Sequence, residues 1–183
     1  MRRATSVLPM LLALAGCEPE RPRGREALSV GEALSGAPAE GFERALEPRP
    51  FAFPADHGPH PGFRTEWWYF TGNLESTDGR RFGFQLTFFR NALAPEPPDS
   101  PSAWAARDVW MAHLALTDVE SGRFHAFDRF ERGALDLAGV RPEPLAVWTG
   151  PWRAASTGAE TFPLRLQAAQ DDVSLDLLLE PAK

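Results

Sequence analysis

From Pro50 onward, large apolar residues alternate with polar ones at a period of two, and short turn-forming stretches interrupt the pattern. That period belongs to an extended chain with one buried face, and a helix repeating every 3.6 residues cannot satisfy it. Trp67 to Leu74 is the first such run. Arg81 to Arg90 places Phe82, Phe84, Leu86 and Phe88 on one face, and Ser76-Thr77-Asp78-Gly79 between the two runs supplies a hairpin turn. Val109 to Val119 and Arg123 to Glu131 form a second hairpin around Glu120-Ser121-Gly122, with Trp110, Ala112, Leu114 and Leu116 alternating against Met111, His113, Ala115 and Thr117. Leu145 to Arg153, Phe162 to Ala168 and Val173 to Leu179 complete seven expected strands, with no long helix among them. Tight connections between short strands predict an all-β antiparallel meander, and closure into a barrel is expected because it removes exposed edges.

The first fifty residues have a different texture. Arg2 and Arg3 precede an apolar run from Val7 to Ala15, the charged and hydrophobic regions of an export signal. The run is too short to span a bilayer, which takes about 20 apolar residues, and Pro9 interrupts it. Leu14-Ala15-Gly16-Cys17 resembles the lipobox of bacterial lipoproteins. Residues 1–16 are therefore expected to be removed and Cys17 to carry lipid. Cys17 is the only cysteine, so no intrachain disulfide staples the fold. Residues 17–50 are rich in Pro, Gly, Ala, Glu and Arg and poor in large apolar side chains, the composition of a flexible tether. The expected location is the bacterial cell envelope: the outer side of the cytoplasmic membrane, the periplasm or the outer membrane.

A net charge of -6 with both signs interspersed argues against nucleic acid, which selects a clustered basic face. The Gly-x-Ser-x-Gly elbow of a serine hydrolase is missing, as are Gly-rich phosphate-cradling loops. His57 and His60, near Asp56 and Glu66, are donors of the kind zinc uses. They stand in a Pro/Gly-rich loop rather than on the helix that makes two imidazoles converge, so neither a metal nor any other cofactor is expected. Glu66 directly precedes an aromatic strand, where partial desolvation would suit a carboxyl for general-acid work. The faces of Trp67, Trp68 and Tyr69 would stabilise a carbocation. The alternative is that Glu66 pairs with Arg64 or Arg90 and that the tryptophans are core. His113, in mid-strand opposite Leu114 and Leu116, is a second candidate for proton transfer, or else a hydrogen-bonded structural histidine.

The segment Phe53-Pro54-Ala55-Asp56-His57-Gly58-Pro59-His60, followed by Glu66-Trp67-Trp68-Tyr69-Phe70-Thr71-Gly72, resembles the N-terminal signature of the carotenoid 1,2-hydratase (hydroxyneurosporene synthase) family and its secreted lipocalin-like relatives. Gly83-Phe84-Gln85-Leu86-Thr87-Phe88-Phe89-Arg90, Ala112-His113-Leu114-Ala115-Leu116-Thr117-Asp118 and the Trp148 to Trp152 pair extend the likeness. The resemblance implies two consecutive lipocalin-like barrels, of which residues 51–183 would be the first and the second is absent from this sequence. It also implies a pocket for an apolar, lipid- or polyene-like ligand, for which Trp67, Trp68, Tyr69, Phe84, Trp110 and Trp148 are the candidate lining. If the chain is an enzyme, the implied reaction is addition of water to a C=C bond. Three other readings stand beside it: a binding module without catalysis, an envelope assembly scaffold with a protein partner, and a secreted hydrolase. Binding predicts a ligand shifted in absorbance but not consumed, hydration predicts a product heavier by one water, and a scaffold predicts a co-purifying protein.

Overall fold

The computed structural model describes residues 40–182, so the export signal, Cys17 and the tether as far as residue 39 lie outside the described residues. The described part belongs to one unit, Ala37–Lys183. Nine strands follow one short 3-10 turn, Ala55–His57. The first four are long: β1 (Thr65–Glu75), β2 (Arg81–Ala92), β3 (Asp108–Asp118) and β4 (Arg123–Arg132). The rest are shorter: β5 (Ala138–Arg141), β6 (Ala146–Thr149), β7 (Trp152–Ser156), β8 (Leu164–Gln170) and β9 (Val173–Leu179). All pairing is antiparallel between chain neighbours, in a four-stranded sheet β1-β2-β3-β4 and a five-stranded sheet β5-β6-β7-β8-β9.

The alternation places the core. Phe84, Leu86 and Phe88 of β2, Trp110, Ala112 and Leu114 of β3, and Val147, Trp152, Ala154, Leu164, Leu166, Ala168, Val173 and Leu175 of the second sheet form one buried cluster. The two sheets therefore share a single apolar interior. Each fully buried Leu or Phe there contributes about 1.5–3 kcal/mol by leaving water. Glycine serves the packing where a side chain crosses the ladder. A Cβ on Gly139 would stand 2.9 Å from Trp148 Cζ2, its cross-strand partner, and one on Gly72 would stand 2.9 Å from Phe84 Cε1.

The expected closed barrel is not what forms. Among the described residues β1 pairs only with β2, β4 only with β3, β5 only with β6 and β9 only with β8, which leaves two sheets. The ladder stops after β4 because Leu135 and Asp136 both take positive φ, 53° and 59°, which strand backbone cannot follow. Side chains span that margin instead. Arg129 lies with its guanidinium carbon 5.2 Å from the ring centroid of Trp152, and its Nη2 donates to Gln170 Oε1 at 3.2 Å. The run Leu145 to Arg153 also divides in two, since Gly150 at φ 58° makes a hairpin of β6 and β7. β5 was not expected at all: Ala-Gly-Val-Arg has too little bulk to alternate.

Candidate functional site

The margin between β1 and the second sheet stays open, and a groove of about 930 Å³ lies along it. Half-buried Trp68 and Phe70 of β1 form its inner wall, and Leu145, Phe162 and Leu164 face them from the second sheet. Phe51 and Phe63 extend the wall from the segment before β1. The last part of the expected tether is seated here rather than free. Glu43 bridges Phe63, its N–H donates to Gly62 O at 2.9 Å, and Arg44, Glu47 and Arg49 line the groove.

A charged knot braces one end. Arg90, 3 % exposed at its side chain, directs Nε to Glu66 Oε2 at 3.0 Å, Nη1 to Asp108 Oδ1 at 3.1 Å, and Nη2 to the carbonyls of His60 and Phe63 at 3.2 and 2.7 Å. One guanidinium thus fastens β1, β3 and the preceding loop to β2, a task for a planar fork of donors that a lysine cannot perform. The other Glu66 oxygen accepts from the His60 backbone N–H at 2.5 Å and faces His60 Nδ1 at 2.9 Å. His60 Nε2 stands 2.9 Å from Asp56 Oδ1, and Arg49 Nη2 reaches the same oxygen at 2.7 Å. The hydrogen bond to Asp56, then that to Glu66, raises the His60 pKa against the opposing effect of burial. Asp56 is held well below the ordinary carboxylate range, first by Arg49, then by His60, then by the Ala52 backbone N–H.

The chemistry of this knot is self-contained. Arg49 and Arg90 face Asp56, Glu66 and Asp108, with His60 between the first two carboxylates, so the charges of the knot are matched largely among themselves. Both imidazole nitrogens of His60 are engaged with carboxylates, and no group of three or more His, Cys, Asp or Glu among the described residues is placed to hold a metal ion. The knot's evident work is to fix the loop that forms one groove wall. Trp68 is held from two sides, its Nε1 donating to His57 O at 3.0 Å and its ring stacked on Trp110 at 5.8 Å. An apolar face pre-set in this way lowers the ordering cost of binding.

The candidate residues from the sequence fall into two groups. Glu66, Trp67, Trp68, Tyr69, His57 and His60 all line the groove. Trp110 is buried behind it as the support of Trp68, and Phe84 is buried in the core against Gly72, away from the groove. Trp148 lies elsewhere, on β6 over Gly139, with its Nε1 donating to Asp136 O at 2.9 Å. His113 projects from the outer face of the first sheet, since its neighbours Ala112 and Leu114 point into the core; it packs edge-on to Phe89 at 5.2 Å and away from the groove. Sequence reasoning missed Arg49, Phe51, Leu145 and Phe162. All four stand outside regular alternation or at strand boundaries, where no periodic signal reports burial.

Comparison with known proteins places the fold in a family. A family model described as AttH-like matches residues 44–183. No curated protein matches the chain. A crystal structure of a Nitrosomonas europaea protein assigned as AttH superposes with a TM-score of 0.63 at 30% sequence identity, covering 78% of this chain and 41% of that one. The chain spans about two fifths of the length of that relative.

Proposed function

Because the chain belongs to the AttH-like family, related to the carotenoid hydratase-like lipocalins, we propose that it is an envelope protein, lipid-anchored through Cys17, that holds an apolar ligand in the groove along β1. One observation carries the reading: a groove of about 930 Å³ walled by Phe51, Phe63, Trp68, Phe70, Leu145, Phe162 and Leu164, with Arg49, Asp56, His60 and Glu66 of its lining paired among themselves or with Arg90. That volume and lining suit a small molecule bound by burial of apolar surface rather than by charge. A lipid or a polyene answers the description. On this reading the ligand lies between two sheets along an open margin rather than within a closed barrel.

Titration with cis-parinaric acid, a conjugated polyene, tests it. Its emission should rise saturably on addition of the protein, and Thr161→Trp, which places bulk in the groove at a position outside the core, should abolish the rise while the circular dichroism of the sheet is kept. Unsaturable emission, or a rise indifferent to Thr161→Trp, contradicts the reading. Anchoring is tested separately: metabolic labelling with a fatty acid should mark the chain and should be lost in Cys17→Ala.

Hydration of a C=C bond is the second reading, favoured by Glu66 and Trp68 sharing one groove wall. For this Glu66 would have to exchange its pairing with Arg90 for a proton, which it would deliver to one alkene carbon; Trp68 would face the cation that forms, and water would add to that cation and return a proton to Glu66. Supplied with an acyclic carotenoid, the protein should then give a product heavier by one water, and Glu66→Gln should remove that product while sparing cis-parinaric acid binding. Turnover retained in Glu66→Gln would take Glu66 out of the mechanism.

A further inference from the structure

The mouth of the groove is ringed by large apolar side chains left in water. Leu46 is 76%, Phe51 67%, Phe53 65%, Trp67 63%, Tyr69 52% and Phe162 36% exposed. Isolated exposed apolar residues are ordinary on a protein surface; a connected set beside a binding groove marks an interaction site. Phe51, Phe53 and Phe162 are joined through His57. Phe51 stacks on Phe53 at 6.1 Å between ring centroids, Phe53 lies 4.5 Å from His57, and His57 meets Phe162 edge-on at 6.0 Å, so an aromatic run crosses the mouth from the segment before β1 to the entry of β8. Trp67 and Tyr69, on the outward face of edge strand β1, border the same groove.

We propose that this rim docks directly on a lipid bilayer, so that the groove exchanges its apolar ligand with the membrane without the ligand crossing water; the proposal rests on the groove reading above. Two observations select a membrane as the occupant. Trp, Tyr and Phe are the side chains that settle at a membrane interface, where an apolar body and a polar tip are both accommodated. The chain also enters the domain at this mouth: Glu43 lines the groove, and Cys17 precedes Glu40 by only the 22 residues from Glu18 to Ala39. At no more than about 3.5 Å per residue, a lipid on Cys17 holds the mouth within about 80 Å of the bilayer. Charge plays little part. With Arg49 engaged by Asp56, Glu40, Glu43 and Glu47 outnumber Arg44 around the mouth, so zwitterionic lipids should serve at least as well as anionic ones.

The test uses the chain from residue 17 onward, the form expected after removal of residues 1–16, with Cys17→Ala, which can carry no lipid and has no other thiol. Phe53→Cys or Val119→Cys is added to that background and labelled with the fluorophore NBD, Val119 being an exposed residue in the turn after β3 at the opposite end of the first sheet. On phosphatidylcholine vesicles the label at residue 53 should brighten and shift to the blue while that at 119 stays unchanged. Raising salt to about 1 M, where screening is nearly complete, should change partitioning less than about twofold. Leu46→Ser with Phe53→Ser, neither of which lines the groove, should lower vesicle partitioning by about tenfold or more and leave cis-parinaric acid binding in solution intact. A response at 119 equal to that at 53, no response at either, a double variant that partitions like its parent, or a lipid-free dimer that the double variant dissolves would each overturn the proposal. Vesicle docking by a protein that fails to bind cis-parinaric acid in solution would uphold the rim and overturn the groove reading alone.

Discussion

Strands β1 and β2 run side by side in register from Thr65↔Asn91 to Glu75↔Arg81, and both are built from alternating aromatic residues, yet the fold treats them differently. The inward side chains of β2, Phe84, Leu86 and Phe88, are buried. Those of β1, Trp68, Phe70 and Leu74, are only partly so, and its outward Trp67 and Tyr69 stand in water. Composition cannot explain the contrast. What differs is the second neighbour: β2 has β3 on its far side, whereas among the described residues β1 has no strand there, and the groove takes that place. An edge strand that is neither paired nor blunted by charge is a liability unless something covers it. A ligand along the groove and a membrane against the rim would supply that cover.

The sharpest way to break this contrast is to make one substitution on each strand. Phe88→Ala removes a fully buried ring and should cost about 3–5 kcal/mol of stability. Phe70→Ala, on half-buried β1, should cost clearly less than Phe88→Ala while weakening cis-parinaric acid binding about tenfold, equivalent to ~1.4 kcal/mol. Paired denaturant titrations and probe titrations decide it, and equal stability losses would erase the distinction between the strands.

Arg90→Leu should cost about 3–5 kcal/mol, because it leaves Glu66 and Asp108 partly buried without their cation. Arg90→Lys should recover only part of that loss, since one ammonium cannot reach both carboxylates and both carbonyls. Gly139→Ala, which drives a Cβ toward the Trp148 ring far from β1, should lower stability by about 1–3 kcal/mol and leave probe affinity unchanged, whereas Gly158→Ala, with open space around it, should change neither stability nor affinity.

The smallest expected effect is a pH dependence confined to the loop beside β1. The His60 pKa is raised in the folded chain, so its contribution is complete below about 6.5, its ordinary value, and fades as pH rises through the raised one. Asp56 is depressed, so its contribution is present above the ordinary Asp value and fades only in strong acid. The melting temperature of the wild type minus that of His60→Gln should therefore be larger near pH 6 than near pH 9. A difference that stays constant across that range would remove the His60 imidazolium from the brace.

Most of the strand layout was legible in the sequence because burial on one face writes a period of two. Val173 to Leu179 coincides with β9, and the two long hairpins lie within a residue or two of their observed limits. Boundaries failed where geometry overrode pattern. Positive φ at Gly150 split one run into β6 and β7, and the small side chains of Ala138–Arg141 hid β5. Closure failed for a different reason: alternation reports which face is buried but not whether the last strand of a sheet finds a partner, and that depended on Leu135 and Asp136. At the site, pairing of Glu66 with Arg90 was one of the two readings the sequence left open. The groove itself was not visible, because Phe51, Leu145 and Phe162 meet only through long-range contacts.

The most direct test of the account is photo-crosslinking with a diazirine fatty acid, followed by mass spectrometry of tryptic peptides. The account predicts saturable labelling, competed by cis-parinaric acid, in the peptides from Thr65 to Arg80 and from Ala154 to Arg165, which carry Trp68 and Phe70 on one wall and Phe162 and Leu164 on the other. Labelling that does not saturate, or that falls on the outer face of β4 between Phe124 and Arg129, would contradict it.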